Sequence, residues 1–165
     1  MLSGHDPDLG ATNQALRTNS GTNANEWYVG PLSADEWAAR APFRLAAIIP
    51  TGKESLLCLT THPTSLSPAP AITLVKGRYK LWSYVNSDTS LTDIGPAATN
   101  AWHTAYLYAR NNGKVKLWWD GSLPFDGTAP PVNPFNGCVE WGSGSCQYDA
   151  TTTVDFDWVG YGNNF

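Results

Sequence analysis

The strongest constraint on the fold lies between residues 101 and 121, where two kinds of side chain alternate at every second position. Small and aliphatic residues alternate with polar and aromatic residues over the segment 104–110, and over 115–119 Val115, Leu117 and Trp119 alternate with Lys116 and Trp118. Turn-forming residues follow each segment, at 111–114 and at Asp120-Gly121, and they tolerate a positive φ. Because side chains alternate across a strand, this pattern predicts antiparallel strands joined by tight turns. Such a meander buries one face against a second sheet.

The rest of the chain repeats short strand patterns between turns rich in Gly and Pro. The one helical candidate is Ser33–Arg40, where Ser33 is a cap, Glu36 completes a capping box and Pro42 ends the segment. About ten to thirteen strands are expected, which predicts an all-β fold: two antiparallel sheets in a jelly-roll-like sandwich.

Four motifs in the second half of the chain carry a family resemblance. They are Trp102-His103-Thr104, Trp119-Asp120-Gly121, the segment 139–142 (VEWG) and the segment 154–159 (VDFDWV). Over residues 71–162 the chain resembles the concanavalin A-like lectin/glucanase superfamily, and its laminin-G-like branch in particular. The resemblance implies the same β-sandwich, with Trp102 and Trp158 in the core and His103 in a structural role. It implies little about function, since this fold hosts lectins, hydrolases, lyases and structural modules.

The chain is expected to form a polar N-terminal arm, residues 1–13, and a single domain, residues 14–165. A length of 165 residues suffices for one core but hardly for two. Leu2 and Leu9 give the arm little apolar area to offset an ordering entropy of about 1–2 kcal/mol per residue. The arm is therefore predicted to become ordered only when a neighbouring subunit or host protein covers it.

The bulk charge and the N-terminus bear on partners and location. A net charge of −4 and an isoelectric point near 5.2 argue against nucleic acid as a partner. No apolar run has the length of a bilayer span.

The start, MLSGHDPDLG, lacks the basic and apolar segments of a secretion signal. Either a signal was removed and a new Met supplied, or the chain does not use the secretory route. The expected location is a virion or an extracellular surface.

The three cysteines leave two interpretations open. Cys138 and Cys146 flank a Gly-rich reversal that can bring their Cα atoms within reach of a disulfide. Two buried free thiols are the alternative. Cys58 lies in an apolar run and is expected to be a core thiol.

Eight Trp and seven Tyr are more aromatic residues than one core requires. If the small and aliphatic residues of the meander point inward, Tyr106, Tyr108 and Trp118 form a strip on the opposite face. Exposed aromatic rings are surfaces on which sugars stack. In the alternative interpretation, this face is the core between the sheets. The candidate glycan-stacking residues are therefore Tyr106, Tyr108 and Trp118.

Catalytic and metal sites have weaker signals. Glycoside hydrolysis needs two carboxylates across a cleft, and Glu140, Asp155 and Asp157 form no such motif. The chain is therefore expected not to be an enzyme, and amide replacements of these residues are expected to alter stability at most. The histidines have no zinc-ligand spacing, and Asp88 and Asp93 are weak calcium candidates. No cofactor is expected.

These observations lead to a functional expectation with alternatives. The chain is predicted to be a non-catalytic, surface-displayed binding module, a structural or decoration component of a virion or similar assembly that also binds glycans. Its partners would be a protein of the assembly, a cell-surface polysaccharide, or both. A free-standing lectin module is the alternative, followed by a small glycoside hydrolase or polysaccharide lyase.

Overall fold

The computed structural model describes residues 2–3, 14–19, 26–32, 36–47, 53–61, 70–82, 90–110, 112–128, 137–142 and 153–162. Within these ranges, nearly all residues belong to strands. The strands are β1 Leu2–Ser3, β2 Gln14–Asn19, β3 Glu26–Leu32, β4 Glu36–Ala47, β5 Lys53–Thr61, β6 Ala71–Val75, β7 Arg78–Trp82, β8 Ser90–Pro96, β9 Trp102–Arg110, β10 Lys114–Trp119, β11 Ser122–Thr128, β12 Gly137–Gly142, β13 Thr153–Phe156 and β14 Gly160–Gly162.

The described strands form two antiparallel sheets. The larger sheet has eight strands in the order β1-β2-β13-β4-β9-β10-β11, with β14 also paired to β4. The smaller sheet has six strands in the order β3-β12-β5-β6-β7-β8. The predicted all-β, two-sheet jelly-roll sandwich is confirmed.

Two hairpin turns use backbone conformations that the sequence indicates. Lys76 and Gly77 have φ angles of 50° and 72°, and Asp120 and Gly121 have φ angles of 49° and 79°. Two consecutive residues with positive φ form the type I′ turn, whose twist matches that of the flanking strands. The predicted turn at Asp120-Gly121 is therefore confirmed, and the turn at Lys76-Gly77 has the same conformation.

The core lies between the sheets and includes the small and aliphatic residues that alternate along β9 and β10. In the larger sheet, Leu107 and Leu117 face each other across β9 and β10, and both are fully buried. From the smaller sheet Ile72, Leu74 and Leu81 join the same cluster. Burying each such side chain is worth about 1.5–3 kcal/mol relative to leaving it exposed.

One end of the core is aromatic. The rings of Phe43 and Tyr79 meet edge to face with centroids 5.9 Å apart, and Tyr79 lies 4.8 Å from Trp119. His103 packs 4.9 Å from the Trp119 ring, and its Nδ1 lies 2.8 Å from an Asp120 carboxylate oxygen. The Asp120 carboxylate also accepts a hydrogen bond from the Thr104 backbone N–H. His103 thus ties the start of β9 to the β10–β11 turn, the structural role that the resemblance implied.

The predicted helix at Ser33–Arg40 is wrong, because residues from Glu36 onward form the strand β4. Ala39 and Ala41 are buried on one face while Arg40 is exposed on the other, so burial follows the period of a strand. Pro42 does not end the segment. The Pro42 carbonyl accepts a hydrogen bond from the Asp157 N–H. Because the nitrogen and the carbonyl of one residue point to the same side of an antiparallel strand, the Pro42 nitrogen also faces the break between β13 and β14. No hydrogen bond of the sheet is therefore lost at this proline.

The expected core positions of Trp102 and Trp158 are also wrong. Both side chains are half-buried, and neither belongs to the core cluster. The Arg44 guanidinium carbon lies 5.1 Å from the Trp102 ring, and that of Arg40 lies 5.4 Å from the Trp158 ring. Both rings therefore lie on the face of the larger sheet that points away from the core.

Part of the predicted arm falls within the described residues. Leu2 pairs with Ala15 and Ser3 with Gln14, so β1 is the edge strand of the larger sheet. Such pairing within the domain gives no support to an arm held by a neighbouring chain. Residues 1 and 4–13 lie outside the described residues.

Among the described residues, no helix has the length and apolar character needed to cross a membrane.

Candidate functional site

The outer face, meaning the face of the larger sheet that points away from the smaller sheet, carries the candidate site. Ala105, Leu107 and Ala109 are buried in the core, so the intervening Tyr106 and Tyr108 of β9 project outward, as does Trp118 of β10. Of the two interpretations of these aromatics, the structure supports the one in which they lie opposite the core.

Tyr106 and Trp118 form a ring pair at the centre of this face. They are directly opposite each other in the β9–β10 register. Their ring centroids are 4.8 Å apart and their planes are tilted by 32°. Both side chains are partly exposed. Two hydrogen-bonded strands hold the pair in place, which gives a preformed aromatic platform.

A cleft of about 420 Å³ opens on one side of this pair. Its lining residues are Arg40, Thr104, Tyr106, Trp118 and Gly121. Arg40 lies opposite Tyr106 in the β4–β9 register and is exposed. Within the described part of the chain, no carboxylate forms an ion pair with Arg40. This space, the Arg40 cleft, therefore combines aromatic walls with a guanidinium group, which also packs on the Trp158 ring.

A second cleft of about 350 Å³ lies on the other side of the pair and is more basic. Its lining residues are Tyr106, Tyr108, Arg110, Lys114, Lys116 and Trp118. We call it the lysine cleft. Its cations come from the outward positions at the end of β9 and along β10, the same parity as the aromatics.

Two carboxylates neutralise part of this basic charge. Glu36 accepts a 2.9 Å hydrogen bond from the Tyr108 hydroxyl and lies 3.2 Å from Arg110 Nε. Asp126 contacts the ammonium groups of both Lys114 and Lys116. These lysines hold the pKa of the Asp126 carboxyl below its usual range, chiefly through the Lys114 hydrogen bond. Asp126 therefore remains charged over the neutral range.

The two tyrosines of this face remain protonated at neutral pH. Burial raises the pKa of Tyr106, and the negative charge of Glu36 adds to the effect. Burial also raises the pKa of Tyr108, reinforced by its hydrogen bond to Glu36. Both hydroxyls are consequently hydrogen-bond donors rather than bases.

Sequence reasoning found the aromatic platform but missed its cations. Arg40 was assigned to a helix, which hid its position on the outer face. Arg110 follows Tyr106 and Tyr108 at every second position, and Lys114 and Lys116 precede Trp118 in the same way. The strand pattern therefore already indicated that these cations lie on the same face as the aromatic residues.

Of the carboxylates considered for catalysis, Asp155 and Asp157 line neither cleft beside the aromatic pair. Asp155 is fully buried and bound to Arg44 at 2.9 Å. The backbone of Asp157 bonds to Pro42. The side chain of Glu140 lies outside the described residues, although Glu140 belongs to β12 of the smaller sheet.

The calcium and disulfide hypotheses fall partly outside the described residues. Asp93 binds Arg78 Nε at 2.8 and 3.2 Å through its two carboxylate oxygens, while Asp88 lies outside the described residues. The described residues contain no group of three or more side chains arranged to hold a metal ion.

Cys138 belongs to β12 but its side chain, like the whole of Cys146, is outside the described residues.

Comparisons with known proteins identify the fold. No protein-family model and no curated protein matches this sequence. The structure of alginate lyase AlyC3 matches with a TM-score of 0.65 and 11% identity, over 90% of this chain and 74% of that chain. The cellulose-induced protein Cip1 matches with a TM-score of 0.65 and 15% identity, over 94% and 81%. The binding domain of botulinum neurotoxin DC matches with a TM-score of 0.59 and 8% identity, over 90% and 41%.

These findings correct the functional expectation drawn from the sequence. The predicted structural or decoration component of a virion is wrong, because the structural matches are alginate lyases, the cellulose-induced protein Cip1 and a neurotoxin binding domain. The assignment to the laminin-G-like branch stays a prediction. The fold of this chain is the concanavalin A-like jelly-roll sandwich that the sequence motifs indicated.

Proposed function

We propose that the outer face binds a polysaccharide chain, with the Tyr106–Trp118 pair as its stacking platform. The observation that carries the proposal is the geometry of that pair: two partly exposed rings, 4.8 Å apart, between two open clefts. Sugar rings present an apolar C–H face that packs on aromatic rings and hydroxyl groups that bond at the rim. Arg40 and Thr104 supply hydrogen-bonding groups beside the platform.

The structural matches are consistent with this proposal. AlyC3 has been solved in complex with dimannuronate, and botulinum neurotoxin type C is described as interacting with two ganglioside molecules. Proteins of this fold thus bind sugars. The argument for this chain rests on its own aromatic platform, because sequence identity to those proteins is 13% and 9%.

The geometry supports binding better than cleavage. β-Elimination from a uronic acid needs a base that removes a proton, an acid that protonates the leaving oxygen and a group that stabilises the carboxylate. Tyr106 and Tyr108 are suited to the acid role only, since their pKa values are raised. His103, which would be the usual base, packs in the aromatic end of the core. Glu36 and Asp126, the described carboxylates beside the lysine cleft, are each engaged with cations, so neither is a free base.

A polysaccharide lyase is the second candidate, favoured by the tyrosine hydroxyls lying on the same face as Arg40 and Arg110. The test is incubation with alginate and polygalacturonate while the ultraviolet absorbance of the unsaturated product is followed. Turnover that Tyr106→Phe or Tyr108→Phe abolishes would establish this candidate. Binding without turnover would leave recognition as the function.

The binding proposal is tested by affinity electrophoresis and calorimetry with alginate, polygalacturonate, xylan and β-glucan. Trp118→Ala removes half of the platform, and we expect it to weaken binding about tenfold for any polysaccharide that the wild type retains. Tyr161→Ala is the matched control, since Tyr161 is 41% exposed but lines neither cleft. Unchanged binding by folded Trp118→Ala and Tyr106→Ala variants would refute the proposal.

A further inference from the structure

We propose that the lysine cleft is a subsite for the carboxylate of a uronic acid residue, so that the polysaccharide bound on the outer face is a polyuronate. This inference rests on the proposed function of the Tyr106–Trp118 pair and specifies its substrate class. It is carried by the position and partners of three cations, Arg110, Lys114 and Lys116.

The basic charge of this cleft contrasts with the rest of the chain. The whole protein has a net charge of −4, yet Arg110, Lys114 and Lys116 line a single cleft. Lys114 and Lys116 are two positions apart on β10, so both ammonium groups project from the same face. Their side chains are 37% and 32% exposed, which leaves them accessible to a ligand. The cleft therefore attracts anions despite the acidic character of the protein.

Asp126 indicates which anion fits. Its carboxylate stands between the ammonium groups of Lys114 and Lys116 and contacts both. The lysine pair therefore already accommodates a carboxylate. With Glu36 at Arg110 and Asp126 at the lysines, three cations face two carboxylates. One positive charge is left in excess, and a carboxylate on the ligand would compete with Asp126 for the lysines.

The cleft is also placed correctly for a sugar on the platform. Lys116 Nζ lies over the Trp118 ring, 5.8 Å from its centroid, so this ammonium group borders the aromatic pair on which the sugar would stack. Arg40 stands in the cleft on the other side of the pair. A chain that crosses the platform therefore meets a cation on each side, as repeated carboxylates on successive residues would require.

The decisive experiment compares polygalacturonate with the same polymer after reduction of its carboxyl groups, using the full chain in affinity electrophoresis and calorimetry. We expect the double variant Lys114→Met, Lys116→Met to lose about tenfold in affinity for the native polymer and none for the reduced one. Asp126→Asn frees the lysines, and we expect it to gain several-fold in affinity for the native polymer. The salt dependence of binding should fall in the double variant and rise with Asp126→Asn. Lys80→Met, on the smaller sheet, removes one positive charge outside the cleft and should change nothing.

The outcomes separate this inference from the function on which it rests. Equal affinity for the native and the reduced polymer, lost in Trp118→Ala but unchanged in the lysine and Asp126 variants, would overturn the carboxylate subsite and keep the platform. A sulfated glucan of matched charge that binds as tightly as polygalacturonate would overturn the choice of carboxylate. Loss of affinity in Lys80→Met equal to that in the double variant would assign the effect to net charge and also overturn the subsite.

Discussion

Arg44 and Asp155 form an ion pair across 2.9 Å, although 111 positions separate them in the chain. The Asp155 side chain is fully buried, and that of Arg44 is 25% exposed. Arg44 lies opposite Asp155 on β13 and opposite Trp102 on β9, and its guanidinium packs on the Trp102 ring. The ion pair thus joins three neighbouring strands of the larger sheet beneath an aromatic cover.

Removing one partner of this buried pair is expected to cost much more than removing an exposed one. Asp155→Ala leaves the Arg44 charge partly buried and unpaired, so we expect the free energy of unfolding to fall by about 3–5 kcal/mol. Urea denaturation measures this loss, and Asp155→Asn is the milder variant. Asp93→Ala, which breaks the exposed pair with Arg78, is the control and should change stability little. Equal, small losses in both variants would contradict a structural role for Asp155.

The Tyr79 hydroxyl is buried at the aromatic end of the core. The side chain is 1% exposed, and the hydroxyl has no hydrogen-bond partner among the described residues. A buried polar group without a partner costs free energy. We therefore expect Tyr79→Phe to keep the ring contacts and to raise the free energy of unfolding at neutral pH by up to about 1 kcal/mol. A loss of stability in chemical denaturation would show that the hydroxyl has a favourable contact.

The same residue predicts how stability changes at alkaline pH. Burial, and secondly the charge of Asp120, raise the pKa of Tyr79 above its usual value. Above pH of about 10 the unfolded chain therefore loses this proton before the folded chain does, and stability falls as pH rises. This residue contributes a slope of at most about 1.4 kcal/mol per pH unit, which Tyr79→Phe should remove. Tyr108→Phe is the comparison, since Tyr108 is less buried. Equal slopes in the wild type and Tyr79→Phe would contradict the prediction.

The architecture was predictable from the sequence because it depends on local signals. Alternation in β9 and β10 and the turn residues at Asp120-Gly121 each specify a strand or a reversal within a few positions. The strand β4 was missed for a local reason as well. Ser33, Glu36 and Pro42 satisfy the rules for the start and end of a helix, but burial of the alternating Ala39, Ala41 and Phe43 against the smaller sheet outweighs them.

The site was less predictable because it combines distant segments. The alternation that identified Tyr106 and Trp118 gave no indication that Arg40 would lie beside them, since this needs the β4–β9 pairing. The contact of Asp126 with Lys114 and Lys116 needs the β10–β11 register, in which Lys116 lies opposite Asp126. The core positions expected for Trp102 and Trp158 failed for a similar reason, because Arg44 and Arg40 from another strand provide partners outside the core.

The aromatic platform is supported from beneath by the core-facing side of β9. Leu107 lies between Tyr106 and Tyr108 on β9 but points into the core, where it is fully buried opposite Leu117. Leu107→Ala deletes buried methyl groups and leaves a cavity, so we expect a loss of about 2–5 kcal/mol in the free energy of unfolding. Leu123→Ala is the matched control, since Leu123 is 47% exposed on β11, and should cost less than about 0.5 kcal/mol. Because the register of β9 with β4 and β10 fixes the platform, folded Leu107→Ala should retain polysaccharide affinity well below its unfolding temperature. Equal destabilisation by the two variants would contradict the assignment of Leu107 to the core.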